Sequence, residues 1–517
     1  MQSKLAVKGK VRTPSLDNPL VWGPLGALII AIASVVLRFP FLSLPLTSDE
    51  GAYAYVAYFW SQGHELYDDT LLIFRPQAIL VIYRAVFATL GTDVEDIRLF
   101  AGIYNALTLL FVYLSARQVL NTRYSLLAAS FFAFFSVSRI IEGFTANGEI
   151  FLNLPATVSA FILLRSGRSL RPFGWYCAAG LFAGIATQIK PSGLASLILG
   201  VTYGLYLVTG RDRRPVMLWL AKAELGLFLG FLASLVPALL HGWMIGWDRF
   251  VYASIGFSLT HSAPTSYPIG LHLLRFLDSL GYVMRECSFL LFAGAARLVV
   301  LPVRRFSGNE PFLWLWLFST GLGIASGGSW WLHYYLQALP PASIIAAVGL
   351  SACLGRGRLH IIRLALGVAV ITALLTSLRE QIPVFFRSTE DIQRQIWAIN
   401  TNTWGPQVAE YISERTGPED KIFVMNSDPE IYFLARRQPA YKYLFFSPTE
   451  LPRVPEAPQE LAAILEDSSR APVYMVLPGE RIYGIGLEPV YEVLDKNYVS
   501  DATFGPIYLY KQERAEN

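Results

Sequence analysis

The chain has 517 residues, of which 54% are hydrophobic and 15% charged, and its net charge is +4. A soluble domain carries about 25% charge, so a mean hydropathy of +0.43 excludes a soluble enzyme and points to a polytopic membrane protein. The basic residues fall in short clusters spaced as topology signals, which excludes nucleic acid as the partner.

The chain opens with Lys4, Lys8, Lys10 and Arg12, followed by an apolar run at 23–41 with no small-residue cleavage site. That pattern is an uncleaved anchor. Further apolar runs lie at 98–119, 124–141, 150–165, 174–190, 193–209, 218–243, 286–302, 311–328, 336–354 and 361–378. They predict about eleven transmembrane helices. With simple alternation, the N-terminal lysines, Arg117/Arg123, Arg165/Arg168/Arg171, Arg211/Arg213/Arg214, Arg304/Arg305 and Arg356/Arg358/Arg363 share one side, which is then cytoplasmic. The short run 78–90 is expected as an interfacial or re-entrant helix within a long first outer loop, 42–97. The aromatic stretch Ala52–Trp60 in that loop suits a helix lying in the membrane interface. Cys177, Cys287 and Cys353 sit in or beside apolar runs, with no metal or disulfide spacing.

Past 380 the charge rises and the apolar runs shrink to strand length. Helices are expected near 406–414, 429–436 and 458–465, and strands near 421–426, 441–446, 472–477, 491–494 and 506–511. The expected organisation is a transmembrane catalytic domain, 1–379, and an extracytoplasmic α/β domain, 380–517. No phosphate-binding glycine motif appears, so no nucleotide cofactor is assigned.

Ionisable residues collect at the outer ends of the predicted helices: Asp49, Glu50, Arg75, Glu142, Glu149, Lys190 and His333. A carboxylate takes a proton from a nucleophile, and cations neutralise a departing phosphate. Each residue also has a structural reading. Asp49 or Glu149 could cap a helix, Arg75 could meet lipid headgroups, and Lys190 could snorkel. His333 could be a hydrogen-bonded interfacial histidine, and Trp330, Trp331, Tyr334 and Tyr335 could form an aromatic belt.

Taken in order, the motifs resemble those of membrane glycosyltransferases of the GT-C class that use polyprenyl-phosphate sugars, of the protein O-mannosyltransferase-like and lipid A aminoarabinose transferase-like kinds. Asp49-Glu50-Gly51-Ala52-Tyr53 is similar to the family's first-loop acidic motif. Phe74-Arg75-Pro76-Gln77 stands where many members have Lys-Pro-Pro, and Asn147-Gly148-Glu149 where others carry an aspartate. Gln188-Ile189-Lys190-Pro191-Ser192-Gly193, the segment His333–Pro341 and the region around Asp428–Phe433 complete the likeness.

The resemblance implies transfer of a sugar from a polyprenyl-phosphate donor to a lipid, glycan or protein acceptor at the outer face of a bacterial inner membrane. The N-terminus would be cytoplasmic and the C-terminal domain periplasmic. Asp49 would be the general base of an inverting displacement, with Glu50 and Glu149 also in the catalytic group. Arg75, Lys190 and His333 would bind the donor phosphate, and Tyr53, Trp331, Tyr334, Tyr335 and Gln337 would line the substrate site. No cofactor is certain, and a divalent metal stays open. The alternatives are a polysaccharide polymerase using diphosphate-linked donors, a lipid or sugar flippase, and a non-catalytic assembly or receptor protein.

Overall fold

The computed structural model describes residues 19–513 apart from 168, 210–212, 258–268, 301–307, 355–359, 398–402, 427, 449–450, 480, 482 and 484–485. The N-terminal basic residues, Arg168, Arg211, Arg304, Arg305, Arg356 and Arg358 therefore lie outside the described residues, and the side chains of Arg213 and Arg214 are likewise not described.

The long elements are α-helices: α1 Pro19–Val36, α2 Ser48–Ser61, α3 Ala78–Thr89, α4 Val94–Ala116, α5 Thr122–Phe135, α6 Gly148–Ser166, α7 Pro172–Ile189, α8 Ala195–Val208 and α9 Arg213–Ile245. After the short α10, Trp247–Val251, come α11 Ile269–Val300, α12 Glu310–Ser326, α13 Leu339–Leu354, α14 His360–Gln381 and α15 Thr389–Trp397.

Seven helices among the described residues are long and apolar enough to cross a membrane: Trp22–Phe41, Val94–Ala116, Gly148–Ser166, Pro191–Val208, Val216–Ile245, Leu332–Leu354 and Ile361–Phe386. The expected eleven are corrected to this number. The remaining runs are helical but fail for physical reasons. Helix α5 has only 14 residues, α12 only 17, and α7 mixes glycines, Thr187 and Gln188 into its 18. Helix α11 carries Arg275, Asp278, Arg285, Glu286 and Arg297. Its buried charges are satisfied by protein: Glu286 accepts from Ser138 Oγ at 2.5 Å and Arg139 Nε at 2.7 Å, and Arg297 pairs with Glu310 at 2.7 Å. These paired charges lower the mean hydropathy of the helix, although Leu273, Leu274, Leu277 and Val299 on it are exposed.

The first loop also differs from expectation. Helix α2 does not lie in an interface; Gly51 through Ala57 and Phe59 are buried. Its aromatic side chains meet the C-terminal domain: the Tyr55 and Tyr432 rings lie 5.7 Å apart, and Tyr58 and Phe433 6.1 Å apart. Aromatic content alone does not separate a membrane-surface helix from one that docks on protein.

The C-terminal domain is a mixed four-stranded sheet with helices around it. In chain order its elements are α16 Gly405–Arg415, β1 Ile422–Val424, α17 Glu430–Ala435, α18 Ala457–Glu466, β2 Tyr474–Pro478, α19 Glu488–Asn497, β3 Tyr498–Phe504 and β4 Ile507–Gln512. The strand order is β1-β2-β4-β3. β1 and β2 are parallel, with Phe423 opposite Met475, and β4 runs antiparallel to both neighbours. Two expected strands are corrected. Residues 491–494 belong to α19, where Val490, Tyr491 and Leu494 form a buried helical stripe. Residues 441–446 form no strand; Pro439 and Phe446 make isolated bridges to Ile422 and Asn426, and Tyr441 and Lys442 bind Glu460. Strand β3 was not expected, because its polar residues alternate on an exposed edge.

Candidate active site

The site is built from the beginnings of helices. Thr47 caps α2 in a capping box: its hydroxyl accepts from the Glu50 amide, and Glu50 Oε2 accepts from the Thr47 amide at 2.9 Å. The capping residues are therefore Thr47 and Glu50, which leaves the Asp49 side chain outside the box. Glu50 is fully buried and receives Arg98 Nη2 at 2.9 Å, Arg98 Nε at 3.2 Å and the Ala146 amide at 2.7 Å. Arg98, on α4, also donates to the Phe41 and Pro45 carbonyls, each at 2.7 Å. This node locks α2, α4 and the turn before α6 together.

Asp49 is different. Its side chain is 22% exposed, and Arg75 Nη2 stands 3.5 Å from its Oδ1. Burial pushes its carboxyl up, but the charges of Arg75, Lys190 and His333 and a hydrogen bond from Asn147 bring it below the ordinary value of 3.8. The Tyr53 hydroxyl, one turn further along α2, is pushed up to about 12 by burial and by Asp49, so it stays neutral, its oxygen accepting from Arg75. Tyr67 donates to the Arg75 carbonyl at 2.7 Å and fixes the loop that carries the guanidinium.

The second outer loop supplies Asn147, which caps α6 by accepting from the Gly148 amide at 2.7 Å. Glu149, in the first turn of α6, pairs with Lys190, and Lys190 in turn lies 4.4 Å from the centre of the Tyr334 ring. His333 Nδ1 is 3.2 Å from Glu142 Oε2, and its ring packs edge-on to Tyr334 at 5.0 Å.

The structure thus brings Asp49, Arg75, Tyr53, Glu149, Lys190, His333 and Tyr334 into one electrostatic group. Glu50 adjoins it as a buried support. Tyr335 is tied instead to Ser279, its hydroxyl 2.8 Å from Ser279 Oγ, and Trp331 is 58% exposed. Gln337 is buried in a polar recess with Asn153, Thr157, Ser192 and Thr320.

Sequence reasoning missed Arg98 and gave no role to Asn147 or Glu142. The Asn147-Gly148-Glu149 start signal was a readable clue for the cap; the partnership of Arg98 with Glu50 left no local signal. Among the described residues, no group of three or more His, Cys, Asp and Glu is arranged to hold a metal ion. The Asp49 carboxylate already faces cationic side chains, so no step is drawn through a metal.

A family model described as dolichyl-phosphate-mannose-protein mannosyltransferase matches residues 75–241. Comparison with curated proteins gives no match. Among solved structures, ArnT from Cupriavidus metallidurans bound to undecaprenyl phosphate superposes with a TM-score of 0.58 at 14% identity, covering 95% of this chain and 97% of that one. The archaeal oligosaccharyltransferase AglB from Archaeoglobus fulgidus, in complex with an inhibitory peptide and a dolichol-phosphate, gives 0.55 at 15% identity, with 96% of this chain and 74% of that one covered. The arabinofuranosyltransferase AftD from Mycobacteria gives 0.51 at 11% identity, with 94% and 41% covered. At these identities the likeness is one of fold: over 95–96% of its length this chain shares the fold of ArnT and AglB.

Proposed function

We propose that the protein transfers a sugar from a polyprenyl-phosphate donor to an acceptor hydroxyl at the membrane surface, with inversion at the anomeric carbon. The observation that carries this reading is one carboxylate, Asp49, reachable from outside and held ionised by Arg75, Lys190 and His333 drawn from separate segments. Asp49 takes the acceptor proton as the acceptor oxygen attacks. Such a base contributes about 10²–10⁴-fold. Arg75 and Lys190 receive the negative charge that develops on the leaving phosphate. Glu149 holds Lys190 in place, and Glu50 holds the helix that carries Asp49. Tyr53 and Tyr334 line the approach.

The mannosyltransferase match over 75–241 and the polyprenyl phosphates bound in two structures of similar fold support this donor class. In this reading residues 1–379 are the catalytic membrane part, with the loop 42–97 facing outward. Residues 380–517 stand on the same outer side, the periplasm of a bacterial inner membrane, where they hold a lipid, glycan or protein acceptor.

The test is incubation of membranes containing the protein with radiolabelled polyprenyl-phosphate sugars and, separately, with diphosphate-linked sugars. Labelled product from the monophosphate donors alone is expected. Product from the diphosphate donors alone would assign the protein to polymerisation, and none from either would remove the enzymatic reading.

A further inference from the structure

Three non-glycine residues beside the site hold left-handed backbone: Tyr67 at φ 67°, which bears on Arg75, and Glu142 at φ 52° and Trp330 at φ 56°. The last two concern a different side chain. Side chains other than glycine adopt this region rarely, and they stay there only where the surroundings fix them. Glu142 and Trp330 both bear on His333. Glu142 puts its carboxylate against His333 Nδ1 at 3.2 Å, and Trp330 turns the chain immediately before the segment Leu332–Ala338 that carries the imidazole.

The strained turn at Glu142 is held from every side. Its amide donates to the Arg139 carbonyl at 3.2 Å, and its own carbonyl accepts from the Thr145 amide at 3.1 Å and the Thr145 hydroxyl at 2.8 Å. The next carbonyl, of Gly143, accepts from the buried Arg38 Nη2 at 3.0 Å. Upstream, Glu286 gathers Ser138 Oγ at 2.5 Å, Arg139 Nε at 2.7 Å and the Ile140 amide at 3.4 Å. This is far more anchoring than the connection 136–147 between two helices requires of itself. What it fixes is the direction of one carboxylate.

A carboxylate on Nδ1 keeps Nδ1–H in both protonation states, so in the imidazolium the proton on Nε2 is the one left to act on something else. The other charged groups around the imidazole are Glu149, Lys190 and Asp49, with Tyr334 packed against its ring. The free nitrogen therefore belongs to the group in which the donor phosphate is proposed to sit.

We propose that Glu142 and His333 act as one unit in sugar transfer, with Glu142 as the positioning residue and His333 giving a proton to the departing phosphate. This rests on the transfer reading above. As the acceptor oxygen bonds to the anomeric carbon, the bond from that carbon to the phosphate oxygen breaks, and its electron pair stays on the oxygen. Asp49 takes the acceptor proton, and His333 Nε2–H passes to the phosphate oxygen. The product is a polyprenyl phosphate monoanion, and the imidazole is left neutral with Nδ1–H still on Glu142. Asp49 then releases its proton to water and His333 takes one up, so the cycle closes without net change.

The experiment uses the full chain in lipid nanodiscs with ¹⁵N-labelled histidine, the His333 signal being identified by its loss in His333→Gln. Glu142→Gln is expected to move the imidazole titration midpoint down, because a neighbouring negative charge favours the protonated ring. Adding a short-chain polyprenyl phosphate is expected to move the wild-type midpoint up. The alkaline limb of the transfer rate should fall at lower pH in Glu142→Gln by the same shift. Glu142→Gly, which relaxes the left-handed backbone, should unfold at or above the wild-type temperature and still lose the limb's position. A wild type that transfers sugar with a midpoint unmoved by Glu142→Gln, or by the phosphate, overturns the proton step alone. A wild type whose midpoint moves as stated but which transfers no sugar overturns the transfer reading, and the proton step with it.

Discussion

Asp49 and Glu50 are neighbours in sequence and occupy opposite environments. Glu50 is fully buried, accepts hydrogen bonds from Thr47, Arg98 and Ala146, and has both oxygens satisfied. Asp49 is partly exposed and meets its closest cation, Arg75, only at 3.5 Å. The first arrangement is a strut: every lone pair is spent on fixing helices α2 and α4 and the turn before α6. The second keeps capacity in reserve for a substrate. Both burial and completeness of hydrogen bonding separate the structural carboxylate from the one proposed as the base.

Glu50→Gln should break the comparison from its structural side, with the largest effect on stability. It leaves the Arg98 guanidinium, 1% exposed, without its counter-charge. Breaking a buried pair by removing one partner costs about 3–5 kcal/mol. The measurement is thermal unfolding of the purified protein; a loss of under about 1 kcal/mol would mean the node is not what holds α2. Arg75→Ala acts on the other side. Removing a charge-assisted contact of about 1.5–3 kcal/mol should weaken binding of a polyprenyl phosphate about 10–100-fold. Unchanged affinity in a direct titration would take Arg75 out of the donor site.

Gly51→Ala probes the seat of the same helix. A Cβ at Gly51 would stand 2.5 Å from the backbone of Glu430 on α17, so the C-terminal domain must shift or α2 must. Overpacking of this kind costs about 1–3 kcal/mol. Limited proteolysis of the C-terminal domain should accelerate accordingly, and an unchanged cleavage rate would show that the contact yields freely. The smallest effect concerns pH. The Asp49 value is depressed in the folded protein, so its charged form is present above that value and lost only as pH falls through it. Transfer should therefore show no Asp49 limb above about pH 4. A limb near pH 6 that vanishes in Asp49→Asn would show that the cations do not hold the carboxylate ionised.

Much of this arrangement was legible in the sequence, and the limits were physical. Asp49, Glu149 and Lys190 sit at helix ends, His333 at the start of a late apolar run and Arg75 in the first loop, and the structure brings them together. The unequal roles of Asp49 and Glu50 were half legible: Thr47 followed three residues later by Glu50 spells a capping box. The other half depended on Arg98, 48 residues away in sequence, in the second turn of α4. Glu142 stood out only as an acidic residue in a short loop, because its left-handed backbone has no signature in a non-glycine residue. The span count erred where helices bury charge against protein, as α11 does with Glu286. The strand expected at 491–494 erred because a short apolar run fits either period until its burial pattern is known.

The most direct test of the division between the two carboxylates is a side-by-side assay of Asp49→Asn and Glu50→Gln, with transfer measured per folded molecule and unfolding followed on the same samples. Asp49→Asn should lose about 10²–10⁴-fold in transfer while unfolding like the wild type and retaining polyprenyl phosphate. Glu50→Gln should unfold early, and the molecules that remain folded should keep most of their rate. Normal turnover by Asp49→Asn would contradict the account outright.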